Sequence, residues 1–186
     1  MTIDDIAHII KNHDVKSEPI LIAIEGYGGS GKSTYAQTLK GLLGDVYIVP
    51  IDDFIVKEKL SEQSWDKGAF DRKRLEIEVL EPLSRAIYPS YRKLVWDTNS
   101  LSEPIKISKS KYVIIEGISS YHPSVAHYYA HKIWIDTPIE IAKERGRARD
   151  GSNENAKFWD LWANNDLAYQ EHYHPERVAD FILTNT

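Results

Sequence analysis

The chain has 186 residues, 42% hydrophobic and 27% charged, which suits one compact domain spanning residues 1–186. Its net charge of −5 comes with no extended run of Lys or Arg, so a nucleic acid polymer is excluded as partner and a small molecule is expected. The chain has no cysteine, its seven histidines show no HExxH pairing, and no window approaches the ~20 apolar residues of a membrane span; a cytoplasmic enzyme without membrane attachment is expected, with homo-oligomerisation left open.

Thr2 followed by Asp5, with Ile3, Ile6, Ile9 and Ile10 at helical spacing, predicts a capped amphipathic helix, accessory to the domain, within residues 1–18. Asp4, Asp5, His8 and Lys11 interrupt this stretch too often for a leader sequence. After Pro19, the run Ile20 to Ile24 is continuously apolar and reads as a central strand buried on both faces. Gly26-Tyr27-Gly28-Gly29-Ser30-Gly31-Lys32-Ser33 then fits GxxxxGK[ST] between that strand and a helix over 32–43. Such a loop turns successive backbone N–H groups inward and adds the positive end of the helix, forming a cradle for a di- or triphosphate of ATP or GTP. Gly26, Gly28, Gly29, Ser30, Gly31 and Thr34 belong to this cradle, Lys32 is expected to reach the β- and γ-phosphates, and Ser33 to hold Mg²⁺.

Val46 to Ile51 gives a second strand, at whose end Asp52-Asp53-Phe54 offers a base for an acceptor hydroxyl or a water-mediated Mg²⁺ ligand, Asp52 being preferred; a loop-opening acid pair is the alternative. Residues 54–108 interrupt the strand–helix alternation, with a helix expected from Asp71 to Arg85 and a hairpin of Tyr91–Trp96 with Ile105–Ile107 around the turn Asp97-Thr98-Asn99-Ser100. Such an insertion is where a substrate site would be built. Tyr112 to Ile115 is a strand ending in Glu116-Gly117, an acid placed to orient metal-bound water or to stay a solvated rim residue.

Ile133 to Ile135 is followed by Thr137 as N-cap, Pro138 at the first helical position and Glu140 completing a capping box. That helix runs through Arg145, Arg147 and Arg149 to Gly151, inside an expected lid over 143–157. Arg145 and Arg149 share a face and would clamp a transferring phosphoryl group, and Arg147 would assist in nucleotide binding; basic residues at a helix end also suit its dipole alone. Trp159, Trp162 and Tyr169 read as a core stripe, and Phe181 to Leu183 as the last strand. Strands alternating with helices specify a three-layer α/β/α domain of the P-loop NTPase class, with a parallel sheet and ligands at the strands' carboxyl ends. No NKxD-like guanine reader or DxxG switch argues for a regulatory GTPase; a nucleotide-gated binding protein without catalysis is the more distant alternative.

With these residues in view, the chain over about 20–184 resembles the uridine kinase family of P-loop kinases, related to phosphoribulokinase and pantothenate kinase. The resemblance is carried by the P-loop, Ile51-Asp52-Asp53-Phe54, Trp65-Asp66 with Ala69-Phe70-Asp71, Ile115-Glu116-Gly117-Ile118, and Arg145 through Arg149-Asp150. It implies Mg²⁺-dependent transfer of a γ-phosphoryl group to a nucleoside such as uridine or cytidine, with Asp52 as base and Asp66 on the acceptor's hydroxyls. Tyr91, Arg92 and Trp96 lie where the family's hairpin contacts the base, and Glu116 near the substrate. Val95-Trp96 stands where the family has a Tyr-Asp pair, which leaves a phosphosugar, a pantothenate-like alcohol or a nucleotide open as acceptor.

Overall fold

The computed structural model describes residues 1–12, 19–60, 64–151 and 154–186. Its centre is β1 (Ile20–Gly26), in which all seven residues are buried. Successive side chains of a strand point to opposite faces, and here both faces are covered: Ile20, Ile22 and Ile24 enter one core, Leu21 and Ala23 the other. β7 (Tyr112–Glu116) pairs with β1 in parallel, and so does β8 (His131–Asp136). β2 (Val46–Pro50) and β9 (Phe181–Thr184) form the two edges, giving the order β2-β7-β1-β8-β9, parallel throughout. Pro50, without an N–H, sits at the end of an edge strand, where its missing donor breaks no central ladder.

One core lies beneath α1 (Ile3–Asn12) and α2 (Lys32–Leu43), with Ile6, Ile10, Ala36 and Leu39 fully buried against Ile22, Ile114 and Ile133. Truncating Ile22 to Ala would cost about 2–5 kcal/mol. The predicted capping box forms: the Thr2 hydroxyl accepts from Asp5 N–H (3.2 Å) and Asp5 accepts from Thr2 N–H (2.8 Å). α1 is nevertheless an integral part of this core, while the remainder of the expected segment, 13–18, lies outside the described residues.

The other core lies under the chain between β2 and β7. Asp71 caps α3 (Arg72–Leu75) by accepting from Arg74 N–H at 2.9 Å. A π-helical turn (Glu76–Leu80) and α4 (Glu81–Ser84) continue the same helical run, burying Leu75, Val79, Leu80 and Leu83. Glu81 N–H bonds Glu76 O, one residue beyond the α-helical partner, just before Pro82, which has no N–H to offer. The expected hairpin is two short ladders: β3 (Ser90–Tyr91) with β6 (Ile105–Lys106), and β4 (Leu94–Val95) with β5 (Ser100–Leu101). Its turn falls at residues 96–99, one residue earlier than the polar run suggested.

α5 (Ile139–Asp150), α6 (Trp159–Tyr173) and α7 (Pro175–Val178) complete the chain. Here a predicted cap fails. Pro138, in extended conformation, is the residue preceding α5, and Thr137 makes no cap; its buried hydroxyl donates to Ser30 O at 3.2 Å instead. The hydroxyl is drawn to the Ser30 carbonyl of the glycine loop, which also accepts from Asn185. Among the described residues no helix is long and apolar enough to cross a membrane.

Candidate active site

The carboxyl ends of β1, β2 and β7 open on a cleft of about 670 Å³, within the range of small-molecule sites. The loop from Gly26 to Ser33 forms one wall. Gly29 has φ +81°, and a Cβ there would lie 2.0 Å from Ala142 O on α5, so only glycine lets the loop turn this tightly against the helix. The loop is held from outside by side chains: Thr137 and Asn185 both donate to Ser30 O (3.2 and 2.7 Å), and Asp166 Oδ2 accepts from Gly28 N–H (2.8 Å).

Lys32 is buried and folds back so that Nζ donates to Tyr27 O at 2.7 Å. Burial lowers its pKa, while Glu116, Asp166, Asp52 and Glu25 pull the other way. The Ser33 hydroxyl donates to Glu116 Oε1 at 3.0 Å, joining the start of α2 to the end of β7. Loss of bulk water raises the Glu116 pKa, with Lys32 opposing. Asp52, in a 3-10 turn after β2, is exposed to the cleft but ringed by protein; desolvation raises its pKa, and Lys32 and Arg149 offset part of this.

The hydroxyl of Ser33 with the carboxylates of Glu116 and Asp52 is the hard oxygen donor set that suits Mg²⁺. Among the described residues no group of three or more His, Cys, Asp or Glu side chains forms a metal cage. A magnesium site here would therefore also draw on water and bound phosphate, as this ion usually does.

On α5, Arg145 and Arg149 face the cleft; Arg145 donates to Asn185 O at 3.3 Å and the Arg149 guanidinium lies 5.6 Å from the Trp159 ring centroid. Arg147, two residues from each, is turned to the far side of the helix and pairs with Asp160 at 2.8 Å, so it does not reach the cleft. The expected lid continues past α5, but its residues 152–153 lie outside the described set.

The wall opposite the glycine loop is apolar and aromatic: Ile55, Leu60, Trp65, Phe70, Trp96 and Trp162 line it. Of the expected substrate residues, Trp96, Asp52 and Glu116 line the cleft, and three others do not. Asp66 points toward Arg72 (3.9 Å) and His122 (3.6 Å), behind the wall that its neighbour Trp65 faces. Tyr91 is buried, its ring stacked on Phe54 and its hydroxyl donating to Asp53 Oδ2 at 2.8 Å, so the second acid of the Asp pair is engaged with the hairpin. Arg92 is exposed on the hairpin and is held through its backbone, its carbonyl accepting from Arg74 at 3.1 Å.

Several cleft residues escaped the sequence reading. Trp159 and Trp162 turn to the cleft while only Tyr169 of that stripe stays in the core; their periodicity was visible, their face was not. Asp166, seven residues after Trp159 on the same helix, is buried beside the cleft without lining it, its Oδ1 accepting from Trp65 Nε1–H at 2.7 Å. Burial pushes its pKa up to about 6 despite two hydrogen bonds. An acid inside an apolar helical stripe was the available signal. Asn185, just past β9, could have been found from the rule that strand ends line such sites.

A parallel sheet, a glycine loop holding Lys32 and Ser33, and strand-end acids beside an enclosed cleft define a P-loop small-molecule kinase, which requires a nucleotide phosphate donor. No protein-family model matches the chain. It is 28% identical to a uridine kinase of Clostridium botulinum, covering 89% of this chain and 87% of that enzyme. It is 25% identical to a nicotinamide riboside kinase of Saccharomyces cerevisiae, covering 75% of this chain and 69% of that enzyme. The solved structure of a possible uridine kinase from Bacillus stearothermophilus has the same fold, with a TM-score of 0.71, 19% identity, and coverage of 97% and 96% of the two chains. The chain is a P-loop small-molecule kinase that is similar to uridine kinases in sequence and in fold.

Proposed function

We propose that this kinase transfers the γ-phosphoryl group of ATP or GTP, with Mg²⁺, to a hydroxyl of an uncharged, ring-bearing acceptor, a nucleoside such as uridine or cytidine. The observation that carries the reading is the wall facing the glycine loop, with Trp65, Phe70, Trp96 and Trp162. Flat faces of this kind stack on a heteroaromatic ring, a contact worth roughly 1–3 kcal/mol per base in nucleic acid complexes. Among the described residues lining the cleft, the cations are Lys32, Arg145 and Arg149, on the loop's helix and on α5. A phosphosugar or a carboxylate-bearing alcohol would need a further positive partner on the aromatic wall.

In this reading Lys32 leaves Tyr27 O for the β- and γ-phosphates and the loop's N–H groups hold the rest of the chain of phosphates. Mg²⁺, held by Ser33 with Glu116 and Asp52 nearby, would neutralise charge that develops on the phosphate oxygens. Asp52 takes the proton from the acceptor hydroxyl; desolvation raises its pKa, which strengthens it as a base, while Lys32 and Arg149 favour its ionised form and offset part of that rise. Arg145 and Arg149 neutralise the transferring group, and catalysis is chiefly positioning and electrostatics.

The test is incubation with labelled ATP and separate acceptors: uridine, cytidine, a pentose phosphate and pantothenate. Phosphorylated uridine or cytidine is the expected product. Transfer to the pentose phosphate or pantothenate alone would overturn the nucleoside assignment, and nucleotide binding with no transfer to any of them would leave the acceptor class wrong.

A further inference from the structure

Asp166 is buried on α6, an element other than those carrying the loop, the strand-end acids and the arginines to which the proposed chemistry is assigned. Buried beside the cleft, its two carboxylate oxygens bond two different segments of the cleft lining: Oδ2 accepts from Gly28 N–H of the phosphate loop at 2.8 Å, and Oδ1 accepts from the indole N–H of Trp65 in the aromatic wall at 2.7 Å. One buried carboxylate thus ties a peptide of what would be the donor site to an indole of what would be the acceptor site. Both bonds are charge-assisted and shielded from water, which makes them stronger than ordinary neutral pairs.

Room to slip is small on either side. A Cβ at Gly28 would meet the Trp159 ring at 3.0 Å and Asp166 Oδ2 at 3.5 Å, so the loop packs directly on α6. Trp159 itself is tied to the end of α5 by donation to Asp150 Oδ2 at 2.9 Å, and Trp162 to the acceptor-side chain by donation to Leu60 O at 3.2 Å. Gly28 and Trp65, 37 positions apart in sequence, are joined through the Asp166 carboxylate.

We infer that Asp166 is a positioning residue that couples the two halves of the cleft, so that a ligand moving the Trp65 indole also moves the Gly28 peptide and changes affinity for the nucleotide. By linkage the effect is reciprocal: the nucleotide sets the aromatic wall for the acceptor. This rests on the reading of Gly26–Ser33 as the nucleotide's site.

The experiment is a double-mutant cycle read as the Kd of adenylyl imidodiphosphate with Mg²⁺ by calorimetry, which needs neither turnover nor a known acceptor. Trp65→Phe keeps an aromatic face but removes the indole donor; Asp166→Asn keeps the shape but sets an amide NH₂ against one of the two N–H donors. Trp65→Phe is expected to change the nucleotide Kd by about fivefold or more, and to have almost no effect in the Asp166→Asn background. If Trp65→Phe leaves the Kd unchanged, or if the two effects simply multiply, the coupling is wrong while the nucleotide site stands. No binding by the unmodified chain would overturn the nucleotide site and the coupling together. Should Asp166→Asn fail to fold, Trp65→Phe alone decides, since it leaves the carboxylate in place and removes a single donor.

Discussion

The two walls of the cleft are built in different ways. The phosphate wall is mostly backbone, made by eight consecutive residues, Gly26 to Ser33, whose conformation follows from glycines and from the helix that begins at Lys32. The opposite wall is mostly side chains, gathered from Ile55 and Leu60 after β2, Trp65 and Phe70, Trp96 in the hairpin turn, and Trp162 on α6. A contiguous backbone wall can be conserved in function with few residues and suits a ligand common to many enzymes; an assembled side-chain wall can change its occupant by one substitution at a time.

That contrast can be broken, most severely at the point where the walls meet. Asp52→Asn is expected to lower kcat about a hundredfold or more while the nucleotide Kd changes little, because the carboxylate acts on the acceptor's proton and leaves the cradle intact; steady-state kinetics with calorimetry checks it, and an unchanged kcat would remove Asp52 as base. Trp162→Ala should raise the acceptor's KM about tenfold and leave the KM for ATP nearly unaltered, since it takes a face from one wall only.

A subtler effect lies beneath both walls. Glu25, near the end of β1, is buried, accepts from Tyr121 N–H at 3.0 Å, and has its pKa pushed up from 4.5 to about 7 by desolvation. A carboxyl whose pKa is higher in the folded state holds a proton that the unfolded chain has released, so its contribution to stability falls as pH rises from about 4.5 to about 7. Thermal unfolding should show Tm declining over that window, and Glu25→Gln should flatten the decline. The smallest effect is expected at Asp66. Because it faces Arg72 and His122 behind the wall, Asp66→Ala should leave the KM values of both substrates within about twofold of the parent.

The same contrast explains what the sequence disclosed. The glycine loop, the buried strands and the acids at their ends were legible because each follows from a local rule: spacing in a motif, continuity of apolar residues, position just after a strand. Arg145 and Arg149 were separable from Arg147 only by the helical angle between them, and the pairing of Arg147 with Asp160 depends on α6 lying alongside. Thr137 looked like a cap because its neighbours matched the pattern; its hydroxyl went to Ser30 O, a partner 107 positions away that no local rule contains. Asp66 and Tyr91 were placed by likeness of segment, and a turn of a few residues was enough to direct them away from the cleft. Asp166 and the aromatic wall required knowing which way α6 faces, which is decided by packing between elements far apart in sequence.

Where α5 meets α6, space itself is the scarce quantity. A Cβ at Gly146 would lie 2.1 Å from the Trp159 ring, and Gly29 touches the same helix at Ala142. Positions 146 and 159 therefore share one volume, and neither can grow alone. Across a lineage of such chains they should drift as a pair, a larger residue at 146 appearing only with a smaller one at 159, so that an alignment of relatives would carry a record of this contact long after overall identity has faded.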